Sequence, residues 1–254
     1  MTDDAMQNQR YFLKDSIRKT IDFSQTDQSR GIKAPDLEKG RSPDQTIIPL
    51  PKKEEWASVK DVTVCSAIES RESRRIYSGH TIQLDELSFL LWATQGVRRR
   101  MDAGHALRTV PSAGCRHSFE TYLVIFNVEG LSEGIYRYLP VGHSLVFQGS
   151  PEGLAEKITD ASFGQSFIGR SAAVFVWTTI PYRMEWRYEM AAHRVIAMDA
   201  GHVCQNLYLA CEAIDSGTCA IGAFDQEKMD RLTGVDGTDE FVIYMAPVGK
   251  ISPG

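Results

Sequence analysis

Thr121-Tyr122-Leu123-Val124-Ile125-Phe126-Asn127-Val128-Glu129-Gly130-Leu131-Ser132-Glu133-Gly134-Ile135-Tyr136-Arg137-Tyr138-Leu139 is the stretch on which the choice of fold class turns. Residues 121–128 are mostly β-branched and aromatic and predict a strand. Gly130 to Gly134 then match G-x-S-x-G, the pattern of a hydrolase nucleophile elbow, which needs a strand before it and a helix after it. After Gly134 the chain instead reads Ile135-Tyr136-Arg137-Tyr138, whose apolar–polar alternation predicts a second strand. Gly130 to Gly134 therefore read as the turn of a hairpin, and the hydrolase reading falls.

Working outward, Ser144 to Gln148 predict a further strand beyond the turn at Pro140–Gly142, and Ala172 to Thr179 (AAVFVWTT) a central, nearly all-apolar one. Phe241 to Val248 (FVIYMAPV) predict a buried strand near the C-terminus. Leu84 to Gln95 read as a helix: Leu84, Leu87, Leu90, Leu91 and Thr94 fall at helical spacing, Gln83 with Glu86 resembles a capping box, and Gly96 is the stop. Val62 to Ser70 read as a shorter helix leading into Arg71, Arg74 and Arg75. Arg194 to Ile214 predict the longest helix, with Ile196, Ala200, Val203, Leu207, Cys211 and Ile214 in a 3.6-residue period and Gly217 at its end. Helices and strands mix without a regular β-α-β alternation, so the class is α+β.

Residues 1–55 differ from 56–254. They hold four of the ten prolines (Pro35, Pro43, Pro49, Pro51) and few apolar clusters. One helix fits within Met6 to Ser24, and Gly31 to Pro51 read as an extended arm. Two alternatives stand: a disordered leader, or an arm that wraps a neighbour. The division expected is an N-terminal extension, 1–55, and one domain, 56–254.

The chain has 254 residues, 43% hydrophobic and 24% charged, enough for a sizeable core and far from the composition of a disordered chain. Lys and Arg total 28 against 33 Asp and Glu, a net charge of −5. That balance argues against a nucleic-acid partner. No run reaches the roughly 18 apolar residues of a membrane helix, and the first residues lack a signal-peptide pattern. Five cysteines without a CxxC pair read as reduced thiols, which points to the cytoplasm. No G-x-G-x-x-G or phosphate-loop motif is present. His117 and Glu120 lie three apart with no second histidine, so no metal site is expected.

Three segments suggest an anionic, flat ligand. Arg71-Glu72-Ser73-Arg74-Arg75 puts cations and a hydroxyl at the end of a helix, suited to phosphate or to a solvated basic surface. Val110-Pro111-Ser112-Ala113-Gly114-Cys115 is a small-residue loop that lets backbone groups approach a planar ligand, or an ordinary tight turn. Gly217 to Asp225 (GTCAIGAFD) is a second small-residue stretch of the same kind.

In their joint order these segments resemble the nitroreductase-like FMN flavoproteins, and closely the SagB-type branch named for azoline-forming dehydrogenases. The resemblance spans Val62 to Lys250. It rests on Arg71-x-Ser73-x-Arg75-x-Tyr77, Leu84-x-Glu86-Leu87-x-x-Leu90-Leu91-Trp92-Ala93-x-Gln95-Gly96, Pro111-Ser112-Ala113-Gly114, Glu120-x-Tyr122 and Val128-Glu129-Gly130-Leu131-x-x-Gly134-x-Tyr136-x-Tyr138-x-Pro140. It continues through Asp199-Ala200-Gly201-His202-x-x-Gln205-Asn206-Leu207, Gly217-Thr218-Cys219, Gly222-Ala223-Phe224-Asp225 and Pro247-Val248-Gly249-Lys250.

The resemblance implies a mixed or antiparallel central sheet flanked by helices, an intertwined homodimer, and one FMN at each end of the interface. It assigns Arg71 to the FMN phosphate, Ser73 to the ribityl or ring portion and Arg75 to the pyrimidine edge. Ser112, Ala113, Gly114 and Cys115 are assigned to the loop along the flavin, usually the partner's. Gly222 and Ala223 are placed at flavin N5, and Lys250 is a further phosphate candidate. The implied activity is NAD(P)H-driven reduction of a nitro, quinone or conjugated small molecule. Oxidation of a peptide azoline and a non-catalytic flavin-binding scaffold subunit are the alternatives. Azoline dehydrogenases carry a Lys-Tyr pair before the long helix, matched here by Arg187-Tyr188. Arginine does not readily accept a proton, so Tyr188 is the remaining catalytic candidate, or else a packed aromatic. Arg116 and His117 stand where a cation and an imidazole could recognise an anionic substrate or the NADPH phosphate, or face solvent.

Overall fold

The computed structural model describes residues 3–252. In chain order it has α1 (Asp3–Leu13), β1 (Ile47–Pro49), α2 (Val64–Ser70), α3 (Leu84–Gln95), β2 (Val97–Arg100), β3 (Ala106–Arg108), β4 (Phe119–Ile125), β5 (Gly134–Leu139), β6 (Ser144–Gly149), α4 (Leu154–Ala161), β7 (Ala173–Thr179), α5 (Tyr182–Tyr188), α6 (Ala192–Glu212), β8 (Ser216–Thr218), α7 (Gln226–Thr233) and β9 (Phe241–Lys250). Seven strands form one antiparallel sheet in the order β1-β6-β5-β4-β7-β9-β8, and β2 with β3 make a separate ribbon. Among the described residues no helix is long and apolar enough to cross a membrane.

The unalternating apolar run of β4 follows from burial on both faces. Leu123 and Ile125 join Phe175 and Trp177 of β7 in a core filled by Leu87, Leu90 and Leu91 of α3 and Ile196, Val203 and Leu207 of α6. Tyr122 and Val124 join Val174 and Val176 on the opposite face, under Leu154 and Ile158 of α4 and Met229 of α7. Each such side chain taken from water contributes roughly 1.5–3 kcal/mol. The hairpin stands: β4 and β5 pair from Thr121–Tyr138 to Ile125–Gly134. β4 ends earlier than the apolar run, because Phe126 and Asn127 both donate their N–H to the Ala172 carbonyl and leave the ladder. α3 has the expected bounds. Glu86 accepts the Gln83 N–H at 2.9 Å as the capping box requires, and a Cβ at Gly96 would sit 2.5 Å from the Trp92 ring. α6 stops at Glu212 rather than Ile214, and Gly217 lies inside β8 instead of capping the helix.

Within Met6 to Ser24 the one α-helix ends at Leu13, and the 3-10 turns Asp15–Thr20 and Phe23–Gln25 come after it. Residues 28–50 lie along the flank of their own chain. Gln28 N–H donates to the Trp186 carbonyl (2.9 Å), Trp186 Nε1 to the Ile32 carbonyl (3.0 Å), Arg108 to the Leu37 carbonyl (2.7 Å), and Lys39 N–H to Glu120 (2.7 Å). Leu37 and Leu50 are buried, and β1 adds to the sheet edge beside β6. Beneath this segment, buried Glu120 accepts from Arg183 (2.6 Å) and Arg137 (3.2 Å). Burial alone would raise its carboxyl; the Arg183 and Arg137 guanidiniums overcome that and hold it below the ordinary carboxylate range.

Candidate active site

The predicted residues fall into two separate groups along α6. The first is built where α2 ends. Beyond Ser70 the chain leaves the helix at Arg71 and runs beside β8, with Ser73 bridging Thr218 and Arg74 N–H donating to the Thr218 carbonyl at 2.9 Å. Glycine permits this approach: a Cβ on Gly217 would stand 2.6 Å from the Arg74 side chain, and one on Gly249 2.7 Å from the Tyr77 ring. Tyr208 of α6 organises the group. Its hydroxyl shares a hydrogen bond with Ser73 Oγ (2.9 Å) and accepts the Ala220 N–H (2.8 Å), while the Arg71 guanidinium lies 5.3 Å from its ring centroid. Arg75 is exposed and sits over Phe167 at 5.9 Å. Reciprocal backbone bonds between Ile221 and Met245 present Gly222 and Ala223 to solvent, their N–H groups without a backbone acceptor.

The second group surrounds the other small-residue loop. Ser112, Ala113, Gly114 and Cys115 follow β3, and both Gly114 (φ 59°) and Cys115 (φ 55°) adopt left-handed backbone. A Cβ on Gly114 would lie 2.7 Å from Tyr188 Oη and 2.9 Å from Arg187 Cδ, so the loop is pressed onto the end of α5. Asp199 of α6, buried at 4% exposure, lies beside it, with Oδ2 left without a hydrogen-bond partner among the described residues. Burial raises the Asp199 pKa, and the Ser112 hydroxyl, His202 and the Ala113 N–H favour its charged form. Tyr188 is half-buried with the Arg187 guanidinium 5.5 Å from its ring. The next residue, Glu189, takes a strained φ of 45° with ψ −132°.

Arg116 and His117 are not substrate-facing. Arg116 is 2% exposed, donates to the carbonyls of Arg183 (2.9 Å) and Gly104 (2.7 Å), and stacks on Trp186 at 4.7 Å. His117 is buried against the Ala106 carbonyl, and burial with the nearby Arg108 charge pushes its pKa down to about 3. Both are anchors beneath the loop, which corrects the expectation that they recognise an anion. Lys250 is also unlike the exposed arginines: its side chain is 15% exposed and its ammonium donates to Glu86 and to the Ile214 carbonyl (2.7 Å).

Asp199 and Tyr208 stand nine residues apart on α6, which is roughly 13 Å of rise and half a turn of rotation. One chain therefore does not bring the two groups onto one face. Tyr208, whose hydroxyl ties Ser73 to Ala220, was not singled out from the sequence, since a polar tip on a mostly apolar helix leaves no periodic signal.

The residues of the first group suit a flavin mononucleotide: cations without an ion pair among the described residues (Arg71, Arg75), a hydroxyl (Ser73), and the exposed N–H groups of Gly222 and Ala223. A family model for the nitroreductase family matches residues 68–250. The nitroreductase-like protein MJ1384 of Methanocaldococcus jannaschii is 31% identical over 192 residues, 76% of this chain and 93% of that one. The trifolitoxin-processing protein TfxB of Rhizobium leguminosarum bv. trifolii is 28% identical over 167 residues, 59% of this chain and 44% of that one. A crystallised nitroreductase-like protein of Ralstonia eutropha JMP134 superposes with a TM-score of 0.67 at 23% identity, over 87% of this chain and 97% of that one. With the matched model spanning most of its length and a relative above 30% identity covered almost end to end, the chain belongs to the nitroreductase family.

Proposed function

We propose that the chain is an FMN-dependent oxidoreductase, working as a cytoplasmic homodimer, that passes electrons from NAD(P)H to a nitro, quinone or other conjugated small molecule. The observation that carries this reading is the Tyr208 cluster. One hydroxyl fixes Ser73 and the 220–223 strip relative to each other, and one ring supports Arg71. Arg71 would hold the phosphate, Ser73 the ribityl or ring portion, and Arg75 would offset negative charge at the pyrimidine edge. The Gly222 and Ala223 N–H groups would orient the ring at N5. FMN, when bound, supplies the two-electron chemistry, so no protein nucleophile is required. The position of the Ser112–Cys115 loop half a turn from Tyr208 supports its serving the partner's flavin. Lys250, with its ammonium engaged by Glu86, is left out of the phosphate set.

Similarity to TfxB, a toxin-processing protein by name, favours a second reading in which the substrate is a peptide azoline and FMN its oxidant. Arg187 weighs against it, because a guanidinium cannot readily accept the proton such an oxidation releases. A flavin-binding scaffold subunit without turnover is the third. Visible spectra of the purified protein, taken anaerobically before and after NADH and then NADPH, test all three. Flavin bands bleached by one nucleotide support the reductase; bands that persist favour the azoline or scaffold reading. No flavin after reconstitution with FMN would overturn the site.

A further inference from the structure

We propose that a cavity beside Tyr188 is a recognition site for the carboxylate of a small aromatic or conjugated molecule. What is then done to that molecule rests on the oxidoreductase reading above; the binding does not. The cavity, about 290 Å³, lies between the N-terminal turns, which contribute Arg18, Phe23 and Gln28, and the end of α5, which contributes Arg187 and Tyr188. Each guanidinium lies against an aromatic ring of its own segment, Arg18 at 5.7 Å from Phe23 and Arg187 at 5.5 Å from Tyr188. A guanidinium drawn to a ring and not consumed by an ion pair keeps N–H donors for a two-oxygen acceptor, the geometry of a carboxylate.

Donors remain available. Arg187 enters no ion pair among the described residues, and Arg18 engages Asp15 through Nε alone (2.8 Å). Asp15 is shared with Arg194 (3.4 Å), so one carboxylate faces two cations while Arg187 has none. Of the neighbouring acids, Asp27 accepts from Tyr182 and Glu185 pairs with His193, while Glu189 enters no ion pair among the described residues. The Thr26 and Ser29 hydroxyls bond each other and the Phe23 carbonyl, fixing the turn rather than facing a ligand. The volume, about 290 Å³ and open to solvent, leaves room for one ring with a carboxylate. Because Tyr188 Oη abuts Gly114, the cavity shares a wall with the Ser112–Cys115 loop. A molecule anchored there by its carboxylate would reach toward that loop with its conjugated end.

Calorimetric titration of the full chain, reconstituted with FMN, with benzoate and with the neutral benzyl alcohol is the test. Benzoate is expected to bind saturably and at least about tenfold more tightly than benzyl alcohol. Arg187→Met and Arg18→Met, both half-buried or more exposed and outside the core, should each weaken benzoate about tenfold while unfolding stays cooperative. Equal affinity for the two probes, or benzoate binding indifferent to both substitutions, overturns the proposal. So does inorganic phosphate displacing benzoate at equal concentration, which would make the site a general anion patch. The flavin reading fails separately: benzoate bound by a chain that takes up no FMN refutes the flavin and leaves this site standing, whereas retained FMN without benzoate binding does the reverse.

Discussion

His117 is held at 4% exposure on a left-handed backbone (φ 47°), its Nε2 3.1 Å from the Ala106 carbonyl and Arg108 close enough to repel a proton. Burial first, then that charge, lowers its pKa from 6.5 to about 3. The unfolded chain thus binds a proton that the folded chain refuses. The stability His117 contributes is complete above about pH 6.5 and is lost as pH falls toward 3, with a slope up to about 1.4 kcal/mol per pH unit. His117→Asn, which tolerates the same backbone, should be less stable at pH 7 yet lack that part of the acid slope. Urea unfolding at pH 7, 6 and 5 reads it, and parallel slopes in the two proteins would refute it. Sequence neighbours made Arg116 and His117 look like substrate contacts because a cation and an imidazole beside a small-residue loop carry no mark of burial. Tyr208 shows the converse. Its place on α6 looks like any partly apolar helical position, and only the folded chain brings Ser73 and Ala220 to its hydroxyl.

Among the elements, those with a strong local pattern were legible. α3 carries its own cap and stripe, β5 its alternation and β7 its apolar run, and their predicted and observed bounds agree within a residue. The short strands were not: β1 ends in a proline at a sheet edge, and β2 reads Val-Arg-Arg-Arg, so pairing partners rather than propensity make them strands. Glu86 illustrates a local signal with a second, long-range use. It caps α3 through Gln83 and also receives the Lys250 ammonium from the end of β9, at 4% and 15% side-chain exposure. Glu86→Gln keeps an acceptor for the cap but strands a largely buried ammonium, and should cost about 3 kcal/mol. Adding Lys250→Met should recover part of that loss, because the uncompensated charge goes with it. Denaturant titrations of the two single variants and the double variant measure the coupling; strictly additive losses would mean the pair does not act as one.

At the scale of the whole molecule, the proposed flavin site is divided by α6. In the proposed dimer the Ser112–Cys115 loop of one chain would lie near the Arg71–Ser73 and Gly222–Ala223 groups of another, and the surface between them would be the outer face of α6, where Ala197, Met198, Gly201, His202 and Gln205 are exposed. Small residues at 197 and 201 stand one turn apart and would let a second helix approach closely. Gly201 offers a clean probe, since a Cβ built there meets nothing within 4 Å and the chain itself has room for a larger side chain. Gly201→Glu should therefore leave the monomer folded, apart from about 0.5–1 kcal/mol gained by removing a helical glycine. In a dimer packed through this face it would bury an unpaired carboxylate, which neither copy can solvate. Two quantities are expected to fall together: the mass by light scattering, from two chains to one, and FMN affinity in fluorescence titration, by tenfold or more. A monomeric variant that binds FMN as tightly as the parent would show that one chain completes the site. A dimer undisturbed by the substitution would move the interface to another face.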